Sequence, residues 1–176
     1  MAIRAELAAN FEMQEQAAAH NTEIVDLLKK LRDAGETFLP ANRFRGGLFS
    51  RPRLTEAAWT SAQNGGILQE LPVETILVLA KVYETQHDYQ ESTRALFEAL
   101  YGVALNSTEF RSDGFERVPQ LAAVLNDFAL NGTRLARDYR QVLDYLSRSY
   151  PAAEPAPSTD APAATTGEPG KEEKPQ

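Results

Sequence analysis

The sequence predicts an all-α fold, a bundle of three long helices and one short helix that carries the only tryptophan, ahead of a disordered tail. Three observations predict it. Glycine and proline are absent from Ala2 to Ala34. Apolar residues recur at threes and fours in the segments opening near Pro72 and Val118. No segment alternates polar and apolar residues between hairpin turns, so no strand is expected.

The first helix is expected from Ala2 to about Ala34, with Gly35 as a left-handed stop. At 1.5 Å per residue it runs roughly 50 Å. Its C-terminal half offers Ile24, Val25, Leu27, Leu28 and Leu31. Up to His20 the large apolar groups are Ile3, Leu7, Phe11 and Met13, with Asn10, Gln14 and Asn21 near the same side. The second half is expected to pack in a core. The first half is expected to project as a stalk or to be covered by another chain.

A loop follows from Gly35 to Arg53. It holds four arginines, Arg43, Arg45, Arg51 and Arg53, against the single acid Glu36, an excess of +3. Phe38, Phe44 and Phe49 are interleaved with them. Together these seven side chains form a candidate interaction surface, suited to an anionic membrane interface or to a carboxylate on a partner. The alternative is a lid, in which Phe38, Leu39, Leu48 and Phe49 fold back over the bundle.

A short helix is expected from Leu54 to Asn64, with Thr55 as N-cap, Leu54 packed on Trp59 and Gly65-Gly66 as terminator. Pro72 opens the next helix. Its stripe runs Ile76, Leu79, Val82, Tyr83, Gln86, Tyr89, Thr93, Leu96, Phe97 and Leu100, and Gly102 is the expected end. A polar connector spans Val103 to Gly114. The last helix, from about Val118 to Arg148, carries Leu121, Leu125, Phe128, Gly132, Leu135, Tyr139, Val142 and Leu146. That coiled-coil-like alternation calls for a neighbour nearly parallel or antiparallel. Gly132 inside it would let another backbone approach closely. The expected seam is dry, with no ionisable group at its centre.

Composition narrows the function. The chain has 176 residues, 18 basic against 25 acidic, and a net charge of −7, which disfavours general nucleic-acid binding. Residues 1–150 make one domain and residues 151–176 an Ala/Pro/Glu-rich tail without aromatic, Leu, Ile or Val. The absence of cysteine excludes disulfides and thiol chemistry. Glu84-x-x-His87 matches half of a carboxylate-bridged metal motif, and His20 with Glu23 reverses its order. The last helix contains neither Glu nor His, so the ligand set is incomplete. Catalytic serine elbows and phosphate-cradling loops are also missing, and no cofactor is expected. Asn131-Gly132-Thr133 matches a glycosylation sequon on what is expected to be the buried stripe. An inter-helix pocket lined by Tyr83, Tyr89, Phe97 and Tyr139 is the alternative site, for a small molecule or lipid.

Two resemblances bear on architecture. Leu79, Ala80, Tyr83, Tyr89 and Ala99 resemble one tetratricopeptide unit over residues 76–99, but no second copy follows at the 34-residue period. Ala2-Ile3-Arg4-Ala5-Glu6-Leu7 with Asn10, Ile24 to Leu28, Ala58-Trp59-Thr60-Ser61-Ala62, Leu79 to Gln86, and Leu135, Tyr139 and Leu146 resemble a family of uncharacterised bacterial membrane-anchored proteins. The resemblance implies a helical domain behind an N-terminal anchor, and hence a membrane-proximal place on the periplasmic face. This sequence holds no such anchor, which leaves a cytoplasmic place as the other expectation. The resulting expectation is a non-enzymatic domain for protein–protein interaction or self-association.

Overall fold

The computed structural model describes residues 2–36, 39–40, 49–106, 110–111, 114–115 and 118–151, with backbone alone at 39–40, 99–106, 110–111, 114–115 and 118–121. Helix α1 spans Ala2–Asp33, α2 Ala57–Asn64, α3 Val73–Asn106 and α4 Val118–Ser149. The tail, and with it the expectation of disorder, lies outside the described residues.

Helix ends follow local chemistry. Gly35 takes φ of 76°, its N–H donating to the Arg32 carbonyl and that of Glu36 to Leu31. This is the paired-bond stop that a left-handed glycine permits. Gly66, with φ of 72°, separates α2 from a single 3₁₀ turn at Ile67–Glu70. Pro72 stands just before α3 and offers its carbonyl to Ile76 N–H. Gly102 does not end α3, which continues to Asn106. One glycine costs a helix only about 1 kcal/mol, which the flanking turns absorb.

Cross-helix contacts fix the directions. Arg4 donates to Ser147 Oγ at 3.0 Å and Gln14 to the Gly132 carbonyl, so α1 and α4 are antiparallel. Tyr83 reaches Glu6 and Asn10 reaches Gln86, so α1 and α3 run parallel. Buried Leu125, Phe128, Leu135, Tyr139, Val142 and Leu146 confirm the α4 stripe, joined by Ala122, Ala129 and Ala136. Of the remaining predicted core, Leu28, Trp59, Leu79 and Tyr83 are buried, while Leu31 and Leu96 are half-buried.

Four expectations are corrected. The first half of α1 is no stalk: Ile3, Leu7, Asn10, Gln14 and Ala17 are buried like Ile24 and Leu28 behind them. The seam is not wholly dry, since Asn10, Gln14, Asn21, Gln86 and Thr93 lie within it. The short helix begins at Ala57 rather than Leu54, and residues 50–55 run extended as a strap. Three two-residue strands, β1 (Leu39–Pro40), β2 (Phe110–Arg111) and β3 (Gly114–Phe115), pair antiparallel in the order β1-β3-β2. They are too short to register as alternation in a sequence, and they leave the all-α class unchanged.

Candidate functional site

The strap explains why Asn10, Asn21 and Gln86 sit inside the bundle. An extended segment between two helices has no strand partner for its main-chain groups, and each one left unpaired costs about 1–3 kcal/mol. Helix side chains supply the partners. Asn21 accepts from Ser50 N–H at 2.7 Å and donates to the Ser50 carbonyl at 3.0 Å. Three turns earlier, Asn10 accepts from Thr55 N–H at 3.0 Å and donates to its carbonyl at 2.7 Å. From α3, Gln90 donates to the Leu54 carbonyl and Gln86 to that of Thr55. Gln86 Oε1 accepts in turn from Asn10 and from the Tyr139 hydroxyl.

Glu6 completes the array. Helix α2 has Glu56 at its N-cap with no side-chain cap bond, so Thr55 does not cap it. Glu6 does so from α1, accepting from Ala58 N–H at 2.9 Å, Trp59 N–H at 3.4 Å and the Thr55 hydroxyl at 3.3 Å. The Tyr83 hydroxyl donates to it at 2.7 Å. Burial opposes the charge on Glu6. The bonds from Ala58, Tyr83, Trp59 and Thr55 outweigh that and hold its carboxyl below the ordinary value. Burial and the adjacent Glu6 push the Tyr83 phenol far above its usual range.

Gly132 proves to admit a side chain rather than a backbone. A Cβ there would stand 2.9 Å from Gln14 Nε2 and 3.4 Å from the Tyr89 hydroxyl. Alanine in place of a mid-helix glycine ordinarily stabilises by about 1 kcal/mol. Here Gly132→Ala is expected to destabilise by roughly 1–2 kcal/mol, because the methyl overpacks a filled site. Paired with Gln14→Ala the same change should turn stabilising, and urea melts of the four proteins read that reversal of sign.

The aromatic candidates are spent on packing. Tyr83 stacks on Trp59 with ring centroids 5.1 Å apart, and Tyr89 on Phe128 at 5.4 Å. Phe97 meets Phe49 edge to face, and Tyr139 is fully buried with its hydroxyl on Gln86. Of the four, Tyr89 also borders an open cleft, with Asp88, Ser92, Asn131 and Arg134. Phe49 lies between Phe97 and Phe128, as the lid reading requires, and Arg51 stands 5.9 Å over the Phe97 ring. Arg53 is exposed. Phe38, Arg43, Phe44 and Arg45 lie outside the described residues. Asn131 is exposed, the buried position being its neighbour Gly132. His87 points outward, 3.4 Å from Glu91, and Glu84 pairs with Lys81. Among the described residues no three His, Asp or Glu side chains converge as a metal site, and no helix is long and apolar enough to cross a membrane.

The feature that sequence reasoning missed is an open groove of about 550 Å³ between α3 and α4. Leu77, Val78, Val82, Val142 and Tyr145 line it, with Lys81 on the α3 side and Asp138 on the α4 side. Leu77 is 64% exposed, and Val73, one turn earlier, is 66% exposed. The available signal was the offset of Val73 and Leu77 from the stripe through Leu79 and Tyr83. Comparison of the chain with models of known protein families, with curated proteins and with solved structures gives no match.

Proposed function

We propose that this chain is a non-enzymatic helical interaction domain whose contact face is the α3–α4 groove. The observation that carries this reading is apolar side chain left in water beside an apolar cleft. Covering a leucine or valine is worth about 1.5–3 kcal/mol, and solvent collects none of it. Two groups capable of acid–base chemistry are otherwise placed: Glu6 caps α2, and His87 faces solvent beside Glu91. The resemblance to anchored bacterial proteins adds a membrane-proximal location. An anchor preceding Ala2 would join α1 at the end of the bundle shared by Val73 and Ser149, where Ile67 is also exposed.

The test is a photo-crosslinking amino acid placed at Leu77 in the source cell, with exposed Glu91 on the same helix as control. A discrete cross-linked protein from Leu77 alone is expected. Equal or no cross-linking at the two positions would remove the reading. A second reading, a sensor for a small apolar molecule or lipid chain, draws on the groove volume, which falls in the range of ligand pockets. A concentration-dependent rise in melting temperature with such a ligand would favour it.

A further inference from the structure

We infer that Asn64 is a site of spontaneous covalent modification, deamidation to aspartate and isoaspartate, selected by its place at the end of α2. The chemistry needs a side-chain amide followed by a main-chain nitrogen that no Cβ shields, and the dipeptide Asn-Gly supplies both. It occurs twice in the chain, at Asn64-Gly65 and at Asn131-Gly132. Both asparagines are exposed, so access to water does not separate them. The setting of the glycine nitrogen does.

Attack on the amide requires that nitrogen to leave its helical hydrogen bond. At Gly65 the bond is the last of α2, from its N–H to the Ser61 carbonyl at 2.9 Å. Helix α2 has 8 residues, too few to hold a helix alone, and its buried side chains are Trp59 and Ala62. Both precede Asn64, and Gly65 and Gly66 beyond it have no side chain to pack. The closing bond can therefore open while Trp59 stays docked, as helix ends commonly do. Gly132 lies deep inside α4 instead. Its carbonyl accepts from Gln14, and Phe128, Ala129, Leu135 and Ala136 on the adjoining turns are buried. Freeing its nitrogen unwinds a core helix.

Once released, the Gly65 nitrogen gives up its proton and bonds to Asn64 Cγ. The Cγ–Nδ2 bond breaks, and Nδ2 leaves as ammonia with that proton. Water then opens the cyclic imide at either carbonyl, leaving a side-chain carboxylate in aspartate or a lengthened main chain in isoaspartate. Water enters and ammonia departs, with no change of oxidation state. The product sets a negative charge at the C-terminal end of α2, where the helix dipole disfavours it. In isoaspartate the added main-chain carbon also carries Gly65 away from Ser61. Modification thus loosens the helix that docks Trp59.

Incubation of the full chain in mildly alkaline buffer, followed by peptide mapping with mass spectrometry and isoaspartate detection, tests this. In the folded chain the Asn64 peptide should convert about tenfold faster than the Asn131 peptide, or more, since their local opening differs. In urea the two should convert at similar rates, because the helices that distinguish them are gone. Equal rates in the folded chain overturn the inference, as does an Asn64 peptide that stays intact while its urea-unfolded counterpart converts. Trp59 fluorescence of the aged chain should melt at a lower temperature than that of the fresh chain. Asn64→Gln, whose longer side chain closes the ring poorly, should keep the fresh value. An equal fall in that variant would trace the ageing to another position and overturn the effect on α2.

Discussion

Glu6→Ala is expected to lower stability by about 3 kcal/mol, since it removes a helix cap and the acceptor for several donors at once. Ala58 and Trp59 lose the oxygen that their N–H groups donate to, and the Tyr83 hydroxyl is left without a partner in a mostly apolar setting. Trp59 is the only tryptophan, so its fluorescence reports the docking of α2 directly. The fluorescence transition should fall below the far-ultraviolet circular dichroism transition in temperature, because α2 loosens before the long helices separate. Coincident transitions at the natural temperature would contradict the capping role. Acidity supplies a second reading of the same group. The Glu6 carboxyl titrates lower in the folded chain than its ordinary 4.5. Its contribution is therefore complete above that value and is lost as pH falls through the lower, folded one. Glu6→Gln should flatten the acid limb of the stability curve, leaving the neutral-to-alkaline part parallel to that of the natural sequence.

Gln86→Leu is expected to cost about 2–4 kcal/mol, or roughly one and a half to three orders of magnitude in the folding equilibrium. The size of the side chain is nearly kept, so the loss comes from bonding rather than from a cavity. Tyr139, fully buried, would lose the acceptor of its hydroxyl proton, and Asn10 would lose the acceptor it has in Gln86. Tyr139→Phe should cost less, about 1 kcal/mol, since Gln86 keeps Asn10 and Thr55. Combining the two should recover part of the Gln86→Leu loss, because a hydroxyl that no longer exists cannot be orphaned. Strict additivity in urea unfolding would mean that the two groups are not coupled through that bond.

The legible parts of the sequence were those in which one helix face does one job. On α4 every described position of the predicted stripe is buried, because apolar residues and alanines alternate there without interruption. On α1 the same register runs Ile3, Leu7, Asn10, Gln14, Ala17, Asn21, Ile24, Leu28, in steps of four and three. The amides keep that register, and their polarity alone made the face look too weak for a core. What no spacing could reveal is the reason for the amides, since Asn21 and Asn10 pair with main-chain groups of a strap 29 and 45 residues further on, and Gln14 with a carbonyl of α4. The cap on α2 was hidden in the same way. Thr55 has the right chemistry beside the helix, while the working carboxylate comes from Glu6, 52 residues before Ala58. The groove escaped notice because Val73 and Leu77 lie off the stripe through Leu79 and Tyr83, and single exposed apolar residues are ordinary on a helix surface.

The amide row on α1 also bears on synthesis. Its partners arrive late: Gln86 lies 76 residues beyond Asn10, and Gly132 lies 118 beyond Gln14. Until they emerge, α1 shows water a face interrupted by hydrated amides instead of an unbroken greasy ridge. Such a nascent rod offers neighbouring ribosomes little to stick to, at the cost of slow closure through contacts so remote along the polypeptide.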